Sequence, residues 1–332
     1  MTVRFFILLL LFCMSLNGGD SESDIGALKI NLFCADRSGL SKDRLILGDA
    51  LQSLGCTVAF YEIDGNPNAM AADINIFCET LCPTCFSKAP LNWFIPNPEW
   101  DWNHDIMNLL KSIDLILCRT HEVQRIFSEL KKETFFLGFS SPDHYDATIS
   151  KNYADFLHLP GTSWQKGTRP ILQAWKKNPH FSQLTIVKNS DLGQGIPFNV
   201  TWANQWLSEE HLRHLQNSSG VHLCPSETEG FGHYLMEAMS VGAVVVTTDA
   251  PPMNEFILDQ RCLVPYTSWR FQKLATNFYI DSAGVEEVVT GLMKLSSSEL
   301  EAIGKKNRKR YLKLKNEFKK NLEQLLRNVK SA

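Results

Sequence analysis

Two carboxylates, Glu229 and Glu237, stand with seven residues between them in a stretch that also holds Gly230, Phe231 and Gly232. The glycines precede a short amphipathic pattern over 233–240, and Gly242 sits where a helix C-cap glycine belongs. A helix that opens on glycine offers unpaired N–H groups and a positive dipole end to an anion, commonly a phosphate. Carboxylates beside it suit hydroxyl groups. The types and spacing therefore describe a phosphate-and-hydroxyl site.

The flanking elements must position it. Residues 221–224 and 243–246 are short apolar runs bounded by turn signals, which read as buried parallel strands. The unit is strand–turn–helix–strand, with the site at the carboxyl edge of the sheet. Upstream, 28–33, 57–61, 73–77, 91–95, 114–118 and 135–139 read as strands, with helices over 41–54 and 123–131. The turn-rich 140–143 begins a linker. The pattern restarts with strands at 155–159 and 183–187, a polar loop carrying Lys166-Gly167, and a helix with Pro170 at its first position. Ser208 is placed to cap a further helix. The alternation predicts an α/β fold of two doubly wound, Rossmann-like domains, 27–145 and 151–300. Helices over 301–332 are expected to pack back on the first domain.

The string E-G-F-G-x-x-x-x-E-A-M-x-x-G, with Pro225-Ser226 before it and Asn254-Glu255 after, resembles the E-x7-E signature of retaining GT-B glycosyltransferases, especially glycosyltransferase family 4. The resemblance covers 155–257, with a compatible layout over 28–140. It implies a GT-B fold, two domains facing across a cleft, and transfer of a sugar from a nucleotide-sugar donor to a hydroxyl acceptor with retention. Glu229 would contact the donor sugar and Glu237 the ribose. The backbone of Gly232, His233 and Tyr234 would meet the diphosphate. Lys166 matches the family's diphosphate lysine by its Lys-Gly context, but Thr162 stands where an arginine is expected, and Arg169 is no motif match. Ser38-Gly39-Leu40 resembles a thin version of the family's phosphate-facing turn, lacking a glycine pair; an ordinary turn is an equal reading. Thr120 matches a polar residue near the acceptor, and 198–212 resembles the strand and helix beside the nucleobase. The departures keep open a second reading, a catalytically lapsed GT-B protein that binds a sugar nucleotide or glycan.

Metal-dependent transferases hold a cation with D-x-D, and no D-x-D occurs here. Lys166 and the helix terminus at Gly232 could stabilise a leaving diphosphate without metal, so neither metal nor cofactor is expected. The partners expected are a nucleotide sugar and a glycan, lipid or protein hydroxyl. A net charge of −3 over 332 residues gives no basic surplus for nucleic acid. The basic run 305–310 reads as a solvated face, or as a membrane or substrate patch.

Arg4 precedes an apolar run over 5–16 and a polar, acidic stretch to 24. This suits a cleaved signal peptide over 1–23, or an uncleaved anchor with membrane association, and hence the secretory pathway. The sequons at Asn199 and Asn217 are compatible with that route. Cys78, Cys82 and Cys85 cluster without a fourth metal ligand, which leaves a structural disulfide or buried thiols. Trp100 and Trp102 either stack on a sugar or pack locally. His104 is an acceptor-side candidate or a structural histidine.

Overall fold

The computed structural model describes residues 28–36, 38–63, 67–100, 105–188, 195–205 and 207–331. The N-terminal apolar run, Trp102 and His104 lie outside the described residues. Among the described residues no helix is long and apolar enough to cross a membrane.

The first domain is a six-stranded parallel sheet. Its strands are β1 (Lys29–Phe33), β2 (Thr57–Tyr61), β3 (Ile74–Cys78), β4 (Leu91–Ile95), β5 (Leu115–Cys118) and β6 (Thr134–Phe136). They lie in the order β2-β1-β3-β4-β5-β6. Helices α1 (Ser38–Ser53) and α2 (His121–Glu129) connect them. The central strands are apolar because both faces are covered, with one polar exception. Asn31, Asn75 and Asn92 are in register on β1, β3 and β4. Their buried amides form a ladder, Asn31 to Asn75 at 3.0 Å and Asn75 to Asn92 at 2.8 Å. A one-residue slip would leave these groups unpaired, so the ladder pins the register.

The second domain repeats the plan with β7 (Asn152–His158), α3 (Thr168–Lys177), β8 (Leu184–Val187), β9 (Val200–Ala203), α4 (Glu209–Ser218), β10 (Ser219–Cys224), α5 (His233–Ser240), β11 (Val244–Thr248) and β12 (Leu263–Val264). Its order is β12-β11-β10-β7-β8-β9, again parallel. A hairpin follows, β13 (Tyr266–Gln272) with β14 (Ala275–Ile280), then α6 (Ser282–Met293) and α7 (Ser297–Ser331).

Three local expectations change. Helix α1 starts at Ser38, so Ser38-Gly39-Leu40 is its first turn and not a separate loop. Helix α3 starts at Thr168, which puts Pro170 third; its missing N–H is still among the first four that have no intrahelical partner. The hairpin over 266–280 is a third departure, an element for which no expectation arose from the sequence. Strand β13 is exposed along nearly its whole length, so its sequence carries no buried-face alternation to reveal it.

Helix α7 is one continuous rod of 35 residues, about 52 Å long. It packs on α5 and β11, where Asn307 donates to the Ala243 carbonyl at 2.9 Å. Further along, Tyr311 donates to the Ser141 carbonyl at 2.8 Å, Phe318 packs on Phe139, and Asn321 reaches the carbonyls of Phe136 and Leu137. The basic run is partly structural. Arg308 pairs with Asp143 at 2.6 Å, and Arg310 donates to the carbonyls of Glu255 and Phe256.

Candidate active site

In each sheet the chain turns outward in opposite directions from two neighbouring strands, β1 and β3 in the first, β7 and β10 in the second. Connections leave the carboxyl ends of such a pair in opposite directions and open a crevice there. The loop after β7 carries Lys166 and the loop after β10 carries Glu229, so the topology alone makes them neighbours. Facing them are the segments that follow β1, β3, β4 and β5: the start of α1, Glu79, the 96–100 loop and Arg119. A cavity of about 710 Å³ lies between the two edges, in the size range of small-ligand sites.

Lys166 Nζ is paired directly with the Glu229 carboxylate and lies 4.5 Å from the centre of the Tyr234 ring. Ser226 donates its hydroxyl to Glu229, and its oxygen lies 2.6 Å from the Tyr234 hydroxyl. Burial pushes the Tyr234 phenol well above its ordinary range, so it serves as a neutral donor. Gly232 is the N-cap of α5 at φ +99°, and a β-carbon there would come within 2.9 Å of Leu235. With no side chain to cap it, α5 presents its first N–H groups uncapped to the cavity. His158 ties this edge together from beneath. It bonds the Leu223 carbonyl at 2.7 Å and Thr168 at 2.9 Å, and burial holds it neutral, with its pKa pushed down to about 4.

Several contacts cross the cleft. The Glu237 carboxylate pairs with Lys42 of α1 and accepts from Gln216 at 3.4 Å. His233 bonds Asp43 through Nε2 at 2.7 Å and Ser141 through Nδ1 at 2.8 Å. Asp43 also accepts from Arg119 at 2.6 Å. Burial acts to raise the Asp43 pKa, but the charges of Arg119 and His233 outweigh it and hold the carboxyl below its usual range. Glu255 accepts from the backbone N–H groups of His121 and Glu122, both at 2.7 Å, so it caps α2 from the other domain. The hairpin bridges the same gap: Leu274 N donates to the Pro98 carbonyl at 3.2 Å, and Gln272 to that of Glu99 at 3.1 Å.

Glu229, Glu237, Lys166, Gly232, His233, Tyr234 and Gly39 all line this one cavity, as does Thr162. Gly39 lies at its first-domain wall, close to the His233 ring. Thr120 does not offer its side chain to a ligand; it is buried as the N-cap of α2 and accepts from Val123 N at 3.2 Å. Trp100 lines the cavity and is about a third exposed. No motif pointed to Lys42, Asp43, Glu99 or Arg119 as site or cleft residues, and Glu255 entered only as part of the signature that carries the resemblance. Lys42 also lines the cavity; it arrives from the other domain, pairs with Glu237 and carries no motif. The eight described cysteines are free and buried, which favours thiols over a disulfide; Cys82 and Cys85 stand 3.1 Å apart between sulfurs. Among the described residues no His/Cys/Asp/Glu cluster suits a metal ion. Asn199 and Asn217 are both buried and hydrogen-bonded, so neither sequon offers an accessible amide in the folded chain.

Residues 187–310 match the family model of glycosyl transferases group 1. No curated protein matches the chain. Among solved structures, sucrose-phosphate synthase from Thermosynechococcus elongatus superposes with a TM-score of 0.64 at 13% identity, over 92% of this chain and 99% of that one. Anabaena HepE in complex with UDP-glucose gives 0.62 at 12%, over 90% and 100%. The pneumococcal O-GlcNAc transferase GtfA, in complex with UDP and GlcNAc, gives 0.59 at 15%, over 79% of this chain. The chain spans 58% of the length of GtfA, and 58% of the matched chain in the GtfA/B complex. These likenesses show the fold, and the fold is GT-B.

Proposed function

We propose that the protein is a glycosyltransferase that moves a sugar from a nucleoside-diphosphate sugar to a hydroxyl acceptor, with retention and without a metal ion. The observation that carries this is the Lys166–Glu229 pair beside the uncapped N-terminus of α5, at the switch point of the second sheet and inside the cleft. The family match over 187–310 includes Glu229, Glu237 and α5, and HepE and GtfA, two of the proteins that share the fold, were crystallised with UDP-sugar or UDP.

In this reading the donor exchanges the internal ion pair for its own contacts. The diphosphate takes Lys166 and the N–H groups of His233 and Tyr234, and the ribose takes Glu237. Glu229 then orients the sugar. The bond from the anomeric carbon to the phosphate oxygen breaks as the bond to the acceptor oxygen forms on the same face, and the acceptor proton passes to the departing phosphate. Preorganised positive charge at the leaving oxygen is the main source of rate. The expected location is the secretory pathway; sequencing the N-terminus of the mature protein and fractionating cells would test it.

The experiment is a thermal-shift screen of nucleotide sugars followed by hydrolysis and transfer assays. A donor at a hundred times its dissociation constant should add about 2.7 kcal/mol of stability. Transfer unaffected by EDTA, with the anomeric configuration kept, supports the full reading. Tight nucleotide binding without hydrolysis or transfer would sink the enzyme and leave a sugar-nucleotide binder.

A further inference from the structure

We propose that Glu99, with Asn97 and Arg119, forms the acceptor subsite of the cleft, and that the Glu99 carboxyl group holds the attacking hydroxyl of a sugar acceptor. This rests on the transferase reading and adds to it the residue that receives the second substrate.

Three side-chain atoms on the first-domain wall are buried and unpaired: Asn97 Oδ1, Glu99 Oε2 and Arg119 Nε. Glu99 is only 5% exposed, and all three residues line the same cavity as Glu229. Buried polar atoms are seldom left without partners, and two acceptors and one donor carried by residues that line a cavity suit the hydroxyls of a sugar. The position is built. Asn97 donates to Glu79 at 2.5 Å, and the guanidinium of Arg119 is held by Asp43. Gln272 of the hairpin holds the Glu99 carbonyl and receives a 2.9 Å bond from Gln165, the residue before Lys166. The acceptor wall is thereby registered against the loop that meets the donor.

The charges that face Glu99 are Glu229 from the second domain, and Glu79 and Arg119 from its own. Burial, then the Glu229 carboxylate, pushes Glu99 up to about 7, with Glu79 adding and Arg119 opposing. Near neutral pH it can accept the acceptor hydroxyl when ionised. It keeps no proton from the reaction, because the acceptor proton leaves on the phosphate. Its role is to hold and align the nucleophile.

The test uses the full chain, wild type and Glu99→Gln, with UDP-, ADP- and GDP-glucose as donor probes and a panel of methyl glycosides as acceptors. The isosteric variant should bind UDP within twofold of wild type. Its acceptor KM should rise at least tenfold, and the inflection near pH 7 in wild-type kcat/KM for acceptor should vanish. An unchanged acceptor KM and pH profile overturns the proposal. So does a variant that loses nucleotide binding in step with transfer, because that marks a structural role. A wild-type protein that binds none of the three nucleotides overturns the transferase reading and this inference with it, and the nucleotide titration separates that failure from the others.

Discussion

The imidazole of His233, the first residue of α5, lies 2.7 Å from the carboxylate of Asp43 on the opposite side of the cleft. The same carboxylate holds the buried guanidinium of Arg119. One acidic side chain thus holds two basic side chains from two domains, at the point where a donor diphosphate is proposed to bind.

Removing that charge takes from the buried Arg119 its short ion pair and leaves it the Glu79 carboxylate at 4.0 Å and the Pro96 carbonyl at 3.5 Å. Asp43→Asn should therefore cost about 3–5 kcal/mol of stability, measured by urea unfolding. The pH dependence follows from the direction of the shift. The folded-state pKa lies below the ordinary value of 3.8, so the stabilisation is full above that value and is lost as pH falls through the folded pKa. In the Asn variant this acid limb should be missing.

Lys166 and Glu229 touch each other, yet their substitutions should separate. Lys166→Met removes a charge-assisted contact to the diphosphate, about 1.5–3 kcal/mol, so UDP affinity should fall roughly tenfold to a hundredfold. Glu229→Gln should leave UDP affinity nearly intact and cut turnover strongly. Calorimetric titration with UDP alongside kcat checks both. Equal turnover in Glu229→Gln and wild type would remove Glu229 from the sugar site.

Gly167 holds the Lys166 loop against the loop after β10. Its φ is +68°, and a β-carbon would lie 2.4 Å from the Pro225 carbonyl oxygen. Gly167→Ala combines left-handed strain of about 1–2 kcal/mol with a clash against backbone that cannot rotate away. The melting temperature should fall, and nucleotide affinity should fall further than stability alone explains, because Lys166 is displaced.

Burial holds His158 at about 4 and His222 at about 3, against an ordinary 6.5. Below pH 6.5 the unfolded chain binds protons at both and the folded protein does not, so each lowers stability by up to about 1.4 kcal/mol per pH unit as pH falls toward 4. Glu99 acts with the opposite sign. Its folded value of about 7 exceeds its ordinary 4.5, so its stabilisation is full below 4.5 and lost as pH rises through 7. Glu99→Gln should therefore lose stability on acidification more steeply than wild type, by about 1.4 kcal/mol per pH unit between 6.5 and 4.5. Parallel slopes would show that Glu99 does not carry a raised pKa.

The chain by itself determined what depends on near neighbours. The run of residues 233–240, opened by Gly232 and closed by Gly242, is the helix α5 read from the glycines and the apolar spacing. Ser208 caps α4 as its type demands, accepting from His211 N. Buried apolar runs became parallel strands, and the loop after each β-strand delivered Lys166 and Glu229 to one edge. Helix periodicity, capping and strand burial act over a few residues, so local sequence carries them. Only the tertiary structure decided the partners across the cleft: Lys42 for Glu237, Asp43 for His233, Glu255 for the N-terminus of α2, and the hairpin over Glu99. None of these pairs lies within a hundred residues in sequence, and no spacing encodes them. They exist because two sheets present their carboxyl edges to each other, and that apposition is set by the packing of whole domains and the strap of α7.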